Sequence, residues 1–146
     1  MNITPGRLAP LVVICLALLL GACSKEPAGF RLTNAGGDNS LTIERSKGFF
    51  LSAFWDLDLI VANLPQCQRR YSIKPAPDLK FRIDVYRRQP DFFIVNQGRY
   101  WYAVESTNCE AREFDDEPAE VGEYIGSFRE RDGLFLFVPY PSEEEQ

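Results

Sequence analysis

The sequence contains no histidine, and its single methionine is the first residue. Without histidine, the Ser/His and Cys/His nucleophile systems have no base. Zinc, copper and non-haem iron lose their commonest ligand for the same reason, and no metal site is expected. Cysteine is scarce, four in 146 residues, and no pair has the Cys-x-x-Cys spacing of a thiol redox motif. There is no Gly-x-Ser-x-Gly elbow, no Ser-x-x-Lys pair and no glycine loop of the kind that cradles phosphate. These absences argue against an enzyme, and neither catalytic residues nor a cofactor are expected. No repeat occurs, and the only biased tract is Glu143-Glu144-Glu145 near the C-terminus.

What is present begins with the N-terminus. Residues 1–7 carry Arg7 besides the initiator amine, and residues 8–20 are almost unbroken aliphatic, interrupted only by Pro10 and Cys15. At 1.5 Å per residue this run spans about 20 Å, short of the ~30 Å hydrocarbon core of a bilayer, so it reads as a secretion signal. Leu20-Gly21-Ala22-Cys23 follows. This motif resembles the lipobox of bacterial lipoproteins: Leu at −3, small residues at −2 and −1, cysteine at +1. The resemblance implies cleavage between Ala22 and Cys23, a thioether-linked diacylglycerol on Cys23, and a fatty-acyl chain such as palmitate on the new amine. At about 0.8 kcal/mol per buried CH₂, two or three such chains hold a protein firmly on a membrane. Ser24, in place of Asp, implies transfer to the outer membrane in the Gram-negative pattern, with the protein facing the periplasm. The expected membrane contact is thus the N-terminal lipid.

The chain then divides into a signal (1–22), a flexible tether (23–29) containing Lys25, Pro27 and Gly29, one globular domain (30–141) and an acidic tail (142–146). After cleavage 124 residues remain, 19 of them Phe, Tyr or Trp, enough for one compact core. With Cys15 in the signal and Cys23 consumed by lipid, Cys67 and Cys109 are expected to pair in an oxidising compartment. That bond would close a loop over 42 positions.

Short apolar runs between turn residues predict antiparallel β structure. Runs at 30–33 and 41–45 flank Ala35-Gly36-Gly37-Asp38, a first hairpin. Leu79, Phe81, Ile83 and Val85 alternate with Lys80, Arg82, Asp84 and Tyr86, giving a dry and a wet side. Runs at 92–95 and 100–104 meet through Asn96-Gln97-Gly98-Arg99, and runs at 124–130 and 134–138 meet at Asp132-Gly133. Pro75, Pro77, Pro90 and Pro118 fall between runs. Residues 49–64 fit a long strand best, with Leu51, Ala53, Trp55, Leu57, Leu59 and Val61 on one face and room for a short helical turn before Pro65. The expected fold is mainly β: a small antiparallel sandwich or barrel of about eight short strands, one short helix at most, and one disulfide.

Charge is uneven. Residues 23–104 carry 12 Lys/Arg against 8 Asp/Glu, and residues 105–146 carry 3 against 13. A basic flank of Arg69, Arg70, Arg82, Arg87 and Arg88 is conceivable, but pairing with the acidic C-terminal third is the better expectation. The acidic balance argues against nucleic acid. Asp56, Asp58, Asp84 and Glu105 keep a two-carboxylate hydrolase formally open, while Asp56-x-Asp58 and Asp115-Asp116-Glu117 match no established calcium loop. Trp55, Tyr100, Trp101 and Tyr102 are better read as core than as a sugar-stacking platform. The leading expectation is a lipid-anchored, non-catalytic module that binds or helps assemble a periplasmic or outer-membrane protein. An inhibitor of a cell-wall-degrading enzyme and a carrier of a small apolar ligand are the alternatives.

Overall fold

The computed structural model describes residues 24–32, 38–49 and 51–141. The signal segment, the Ala22–Cys23 junction and the acidic tail lie outside them. Within the described residues the chain forms β1 (Ser24–Arg31), β2 (Asp38–Lys47), β3 (Phe54–Leu64), β4 (Cys67–Pro77) and β5 (Arg82–Gln89). It continues as β6 (Phe92–Gln97), β7 (Tyr100–Glu105), β8 (Glu110–Glu113), β9 (Glu123–Arg131) and β10 (Leu134–Pro139). Two antiparallel sheets result, ordered β1-β2-β3-β4 and β10-β9-β5-β6-β7-β8. Period-two alternation aims one face of each inward, and the two faces fill one core. Leu41, Ile43, Leu57, Leu59 and Val61 come from the first sheet; Ile83, Val85, Phe93, Val95, Val104 and Phe128 come from the second. The fold is a sandwich.

The hairpins stand where turn chemistry places them. β1 pairs with β2, β6 with β7, and β9 with β10. At the last of these, Asp132 and Gly133 have φ of 54° and 77°, the paired left-handed conformation of a type I′ turn.

Several expectations need correction. Residues 24–29 belong to β1 and are not a flexible tether: Lys25, Pro27 and Gly29 alternate outward while Ala28 is buried in the core. The mainly β, antiparallel fold with one disulfide is as expected, with ten strands where about eight were expected and no helix among the described residues. The strand expected from residue 49 starts at Phe54, because Ser52 N–H bonds back to Phe49 C=O and closes a turn. Leu79 does not share the inner face of Ile83 and Val85 but stands 78% exposed in the β4–β5 connection. Asp84 is not wet, since it lies 8% exposed under the Arg82 guanidinium. Pro75 and Pro77 lie inside β4, which is tolerated because β4 is a sheet edge and needs no ladder donor on its outer side.

Candidate functional site

The sandwich has two long seams, where the edge strands of one sheet approach those of the other. Along one, Phe30 of β1 stacks on Phe137 of β10 with centroids 4.1 Å apart, and both rings pack on Phe128. Aromatic burial joins the sheets there. Along the other, β4 and β8 are both sheet edges and do not pair with each other. A groove of about 450 Å³ opens at this seam, lined among others by Arg69, Tyr71, Phe92, Glu105, Glu110 and Arg112. A hollow of about 100 Å³ continues past Tyr71 and Arg112 to Glu113.

The geometry of this seam follows from β4. Cys67, Tyr71 and Ile73 face inward, with Arg69 in the same row, while Arg70 and Ser72 face outward. Cys67 is bonded to Cys109 in the β7–β8 connection, with Cα atoms 6.1 Å apart. The Tyr71 hydroxyl donates to Cys109 C=O at 2.7 Å, and the Asn63 amide donates to Thr107 C=O at 3.0 Å. Farther along, Lys74 N–H donates to the Tyr102 hydroxyl at 3.1 Å and Lys74 Nζ pairs with Glu113 at 3.4 Å. Burial, foremost, raises the Tyr102 hydroxyl above the usual tyrosine range. The groove is therefore fastened at one end by a covalent bond and at the other by polar contacts. Between them lie two cations, two carboxylates and an aromatic floor, a mixture suited to an extended polypeptide.

The outer faces carry different arrangements. On the first sheet, Arg70 bonds Glu44 at 2.7 Å and Asp58 at 2.8 Å, and Ser72 donates to Asp58 at 2.8 Å. The Arg70 hydrogen bond holds Glu44 below the ordinary carboxylate range. Burial pulls Asp58 upward, but the hydrogen bonds from Arg70 and Ser72 overcome it and leave it lowered. On the second sheet, residues 114–122 must cross from β8 to β9 past β7, β6 and β5. Phe114 N–H bonds Trp101 C=O at 2.8 Å, and Glu120 pairs with Arg88 at 3.4 Å. Beneath this strap Ile94 and Ala103 are buried although they sit outside the central core. An aromatic row, Trp101–Tyr86–Tyr124–Tyr140, runs across the same face at centroid spacings of 6.3, 5.5 and 5.4 Å.

A further cluster closes one end of the sandwich. The inward row of β2 reads Asn39, Leu41, Ile43, Arg45, Lys47, so two cations enter the interior. Arg45, whose side chain is 6% exposed, lies over the rings of Trp55 at 4.5 Å and Phe135 at 4.8 Å, and pairs with Glu26 and Glu130. Lys47 lies over the Trp55 ring at 4.5 Å and pairs with Asp78 at 2.6 Å. That Lys47 bond lowers the Asp78 carboxyl. Cation–π contacts and ion pairs together satisfy charges that would otherwise be costly inside.

The residues singled out by sequence scatter across these features. Cys67 and Cys109 come together as the disulfide, whereas Ala22 and Cys23 lie outside the described residues. Asp56 and Asp58 sit on the outer face of β3, Asp84 is paired with Arg82, and Glu105 lines the groove. Asp115 to Glu117 ride on the exposed strap. Among the described residues no three Cys, Asp or Glu side chains gather as a metal cage. Trp55, Tyr100, Trp101 and Tyr102 make no common platform: Trp55 underlies Arg45, Tyr102 is core, and Trp101 faces outward. The five flank arginines are dispersed as well, and among the described residues only Arg88 of the five pairs with the acidic C-terminal third. Sequence reasoning missed the open seam, because β4 was not recognised as a strand. Its signal was the alternation of Cys67, Tyr71 and Ile73, hidden by the intervening polar residues.

Comparison with protein-family models, with curated proteins and with solved structures finds no match.

Proposed function

We propose that this protein is a lipid-anchored, non-catalytic envelope module that holds an extended segment of another envelope protein in the β4–β8 seam. Anchoring through Cys23 and an outer-membrane, periplasm-facing address rest on the lipobox resemblance and on Ser24. The observation that carries the binding role is the seam itself. Two unpaired sheet edges flank a groove fastened by the disulfide, with Arg69 on the β4 side and Glu105, Glu110 and Arg112 on the β7–β8 side. An added strand would satisfy edge backbone groups, and the charged rim would set its register. A carrier of an apolar ligand is less well supported, since Phe93, Phe128, Leu41 and Ile43 fill the space between the sheets.

A photo-crosslinking side chain placed at Arg69 or Arg112 in the native envelope tests this role. One discrete adduct is expected at both seam positions, none at Thr42 on the outer face of the first sheet, and loss of the adduct at each seam position when the other arginine is replaced by glutamate (Arg112→Glu with the crosslinker at 69, Arg69→Glu with it at 112). Absence of adducts at the seam, together with turnover of cell-wall material by the purified protein, overturns the reading. The exposed acidic strap favours inhibition of a cationic cell-wall-degrading enzyme as a second reading. Unchanged lysozyme activity under excess protein removes it.

A further inference from the structure

Seven large apolar side chains are exposed among the described residues, and five of them lie at one end of the sandwich: Phe49, Leu51, Phe54, Leu79 and Leu134. The strand registers bring them there. Ser24, the first described residue, pairs with Lys47, and β2 then leads directly into the turn carrying Phe49 and Leu51. Phe54 opens β3 opposite Pro77, and Leu79 follows in the next connection. Asp78 N–H bonds Ala53 C=O at 2.8 Å and ties the two connections into one surface. Leu134 comes from the tip of the β9–β10 hairpin, next to Phe135, whose ring packs against Phe81 at 5.6 Å. Behind this surface Arg45 and Lys47 are neutralised by Glu26, Glu130 and Asp78, while Lys80 stands exposed within it.

This is also the end at which Ser24, the residue that follows Cys23 in sequence, enters the sheet. Consecutive Cα atoms are 3.8 Å apart, so the lipidated residue has no tether between it and β1. An acyl anchor on Cys23 therefore holds this end, with little slack, against the bilayer. We infer that the Phe49–Leu51–Phe54–Leu79–Leu134 surface is a membrane-contact surface, seated on the phospholipid leaflet that holds the Cys23 lipid. Lys80 sits at headgroup phosphates, and the sandwich stands with the opposite, disulfide end toward the aqueous space. Apolar side chains at loop tips enter the headgroup–acyl boundary by about 5–10 Å, and a nearby lysine gains from lipid phosphate. The inference rests on the lipid-anchored reading and adds an orientation that a lipid anchor by itself does not dictate. It also leaves the β4–β8 seam upright and open to a partner.

The full lipidated chain, reconstituted in vesicles of brominated phosphatidylcholine, tests it. A thiol-linked fluorophore at Leu79→Cys is compared with one at Glu120→Cys, on the strap toward the opposite end. Quenching at position 79 is expected to exceed that at 120 by at least about two-fold, and Leu51→Glu/Phe54→Glu added to Leu79→Cys should abolish the difference. Equal quenching at both positions, with acylated Cys23 verified by mass spectrometry, overturns the membrane contact while leaving the anchor intact. If the sulfur of Cys23 is bare, the anchor reading fails separately. The same contrast, measured with vesicles added to that chain, then upholds or overturns the surface. Crosslinking of two chains through position 79 without quenching assigns the surface to a second copy and also overturns the inference.

Discussion

Removing the Cys67–Cys109 bond by the double Cys→Ala substitution, or by reduction, should cost stability in an amount set by topology. The two residues are separated by 42 positions. The loop-entropy relation gives about 13 cal/mol/K for that span, or about 4 kcal/mol at 25 °C. The native contacts around the bond should survive, because Tyr71 and Asn63 donate to backbone carbonyls of Cys109 and Thr107 rather than to sulfur. Urea unfolding of the oxidised and reduced protein measures the difference directly. With an m-value of about 2 kcal/mol/M the midpoint should fall by about 2 M, and the melting temperature by about 15 °C. A loss below about 1 kcal/mol would refute the reasoning. It would mean that the polar contacts already hold the two sheet edges together in the unfolding-competent ensemble. A seam crosslink that survives reduction unchanged would carry the same message for the partner site.

Three other perturbations follow from the geometry. Arg45→Ala opens space between Trp55 and Phe135 and should cost about 2–4 kcal/mol in denaturant unfolding, whereas Arg45→Met, which keeps the volume, should cost under about 1.5 kcal/mol. Equal losses would mean that charge pairing, not packing, dominates there. Gly122→Ala drives a methyl into the Arg87 carbonyl oxygen at a φ of +91°, and should cost about 2–3 kcal/mol by the same assay. Arg70→Gln should cost about 0.5–1 kcal/mol at pH 7, a figure reduced for solvent screening. Glu44 and Asp58 are depressed in the fold, so this contribution is present above their unfolded values and fades as pH falls through the lowered ones. Wild type and variant should therefore converge in stability once the pH lies below the lowered values of both carboxyls, and a difference that stays constant as acid is added would refute the pairing.

The sequence made the central hairpins legible because their turns carry chemistry that few other conformations accept, as Asp132-Gly133 illustrates. The disulfide was legible because two other cysteines had been assigned elsewhere. Edge strand β4 and residues 24–29 of β1 were not. An edge strand needs ladder donors on one side only, so Pro27, Pro75 and Pro77 are admissible there, and those residues read as breakers. Without β4 there was no seam to see. Arg45 and Lys47 were hidden for another reason: their burial depends on Trp55, Phe135 and three carboxylates from distant parts of the chain. The apolar end was likewise invisible, since Phe49 and Leu134 are brought to one surface only by the registers.

Of the ladders among the described strands, all but one join strands adjacent in the chain; the exception is β5 with β9. The molecule is therefore three locally closed pieces, a meander of β1 to β4, a meander of β5 to β8, and the β9–β10 hairpin. A single distant zip assembles the second sheet, and local pieces form faster than distant pairings. As the polypeptide is delivered from its N-terminus, the flank of β5 stays bare until the last segment arrives. That bare flank is the natural place for a folding helper to wait, and for two half-made copies to exchange hairpins if none does.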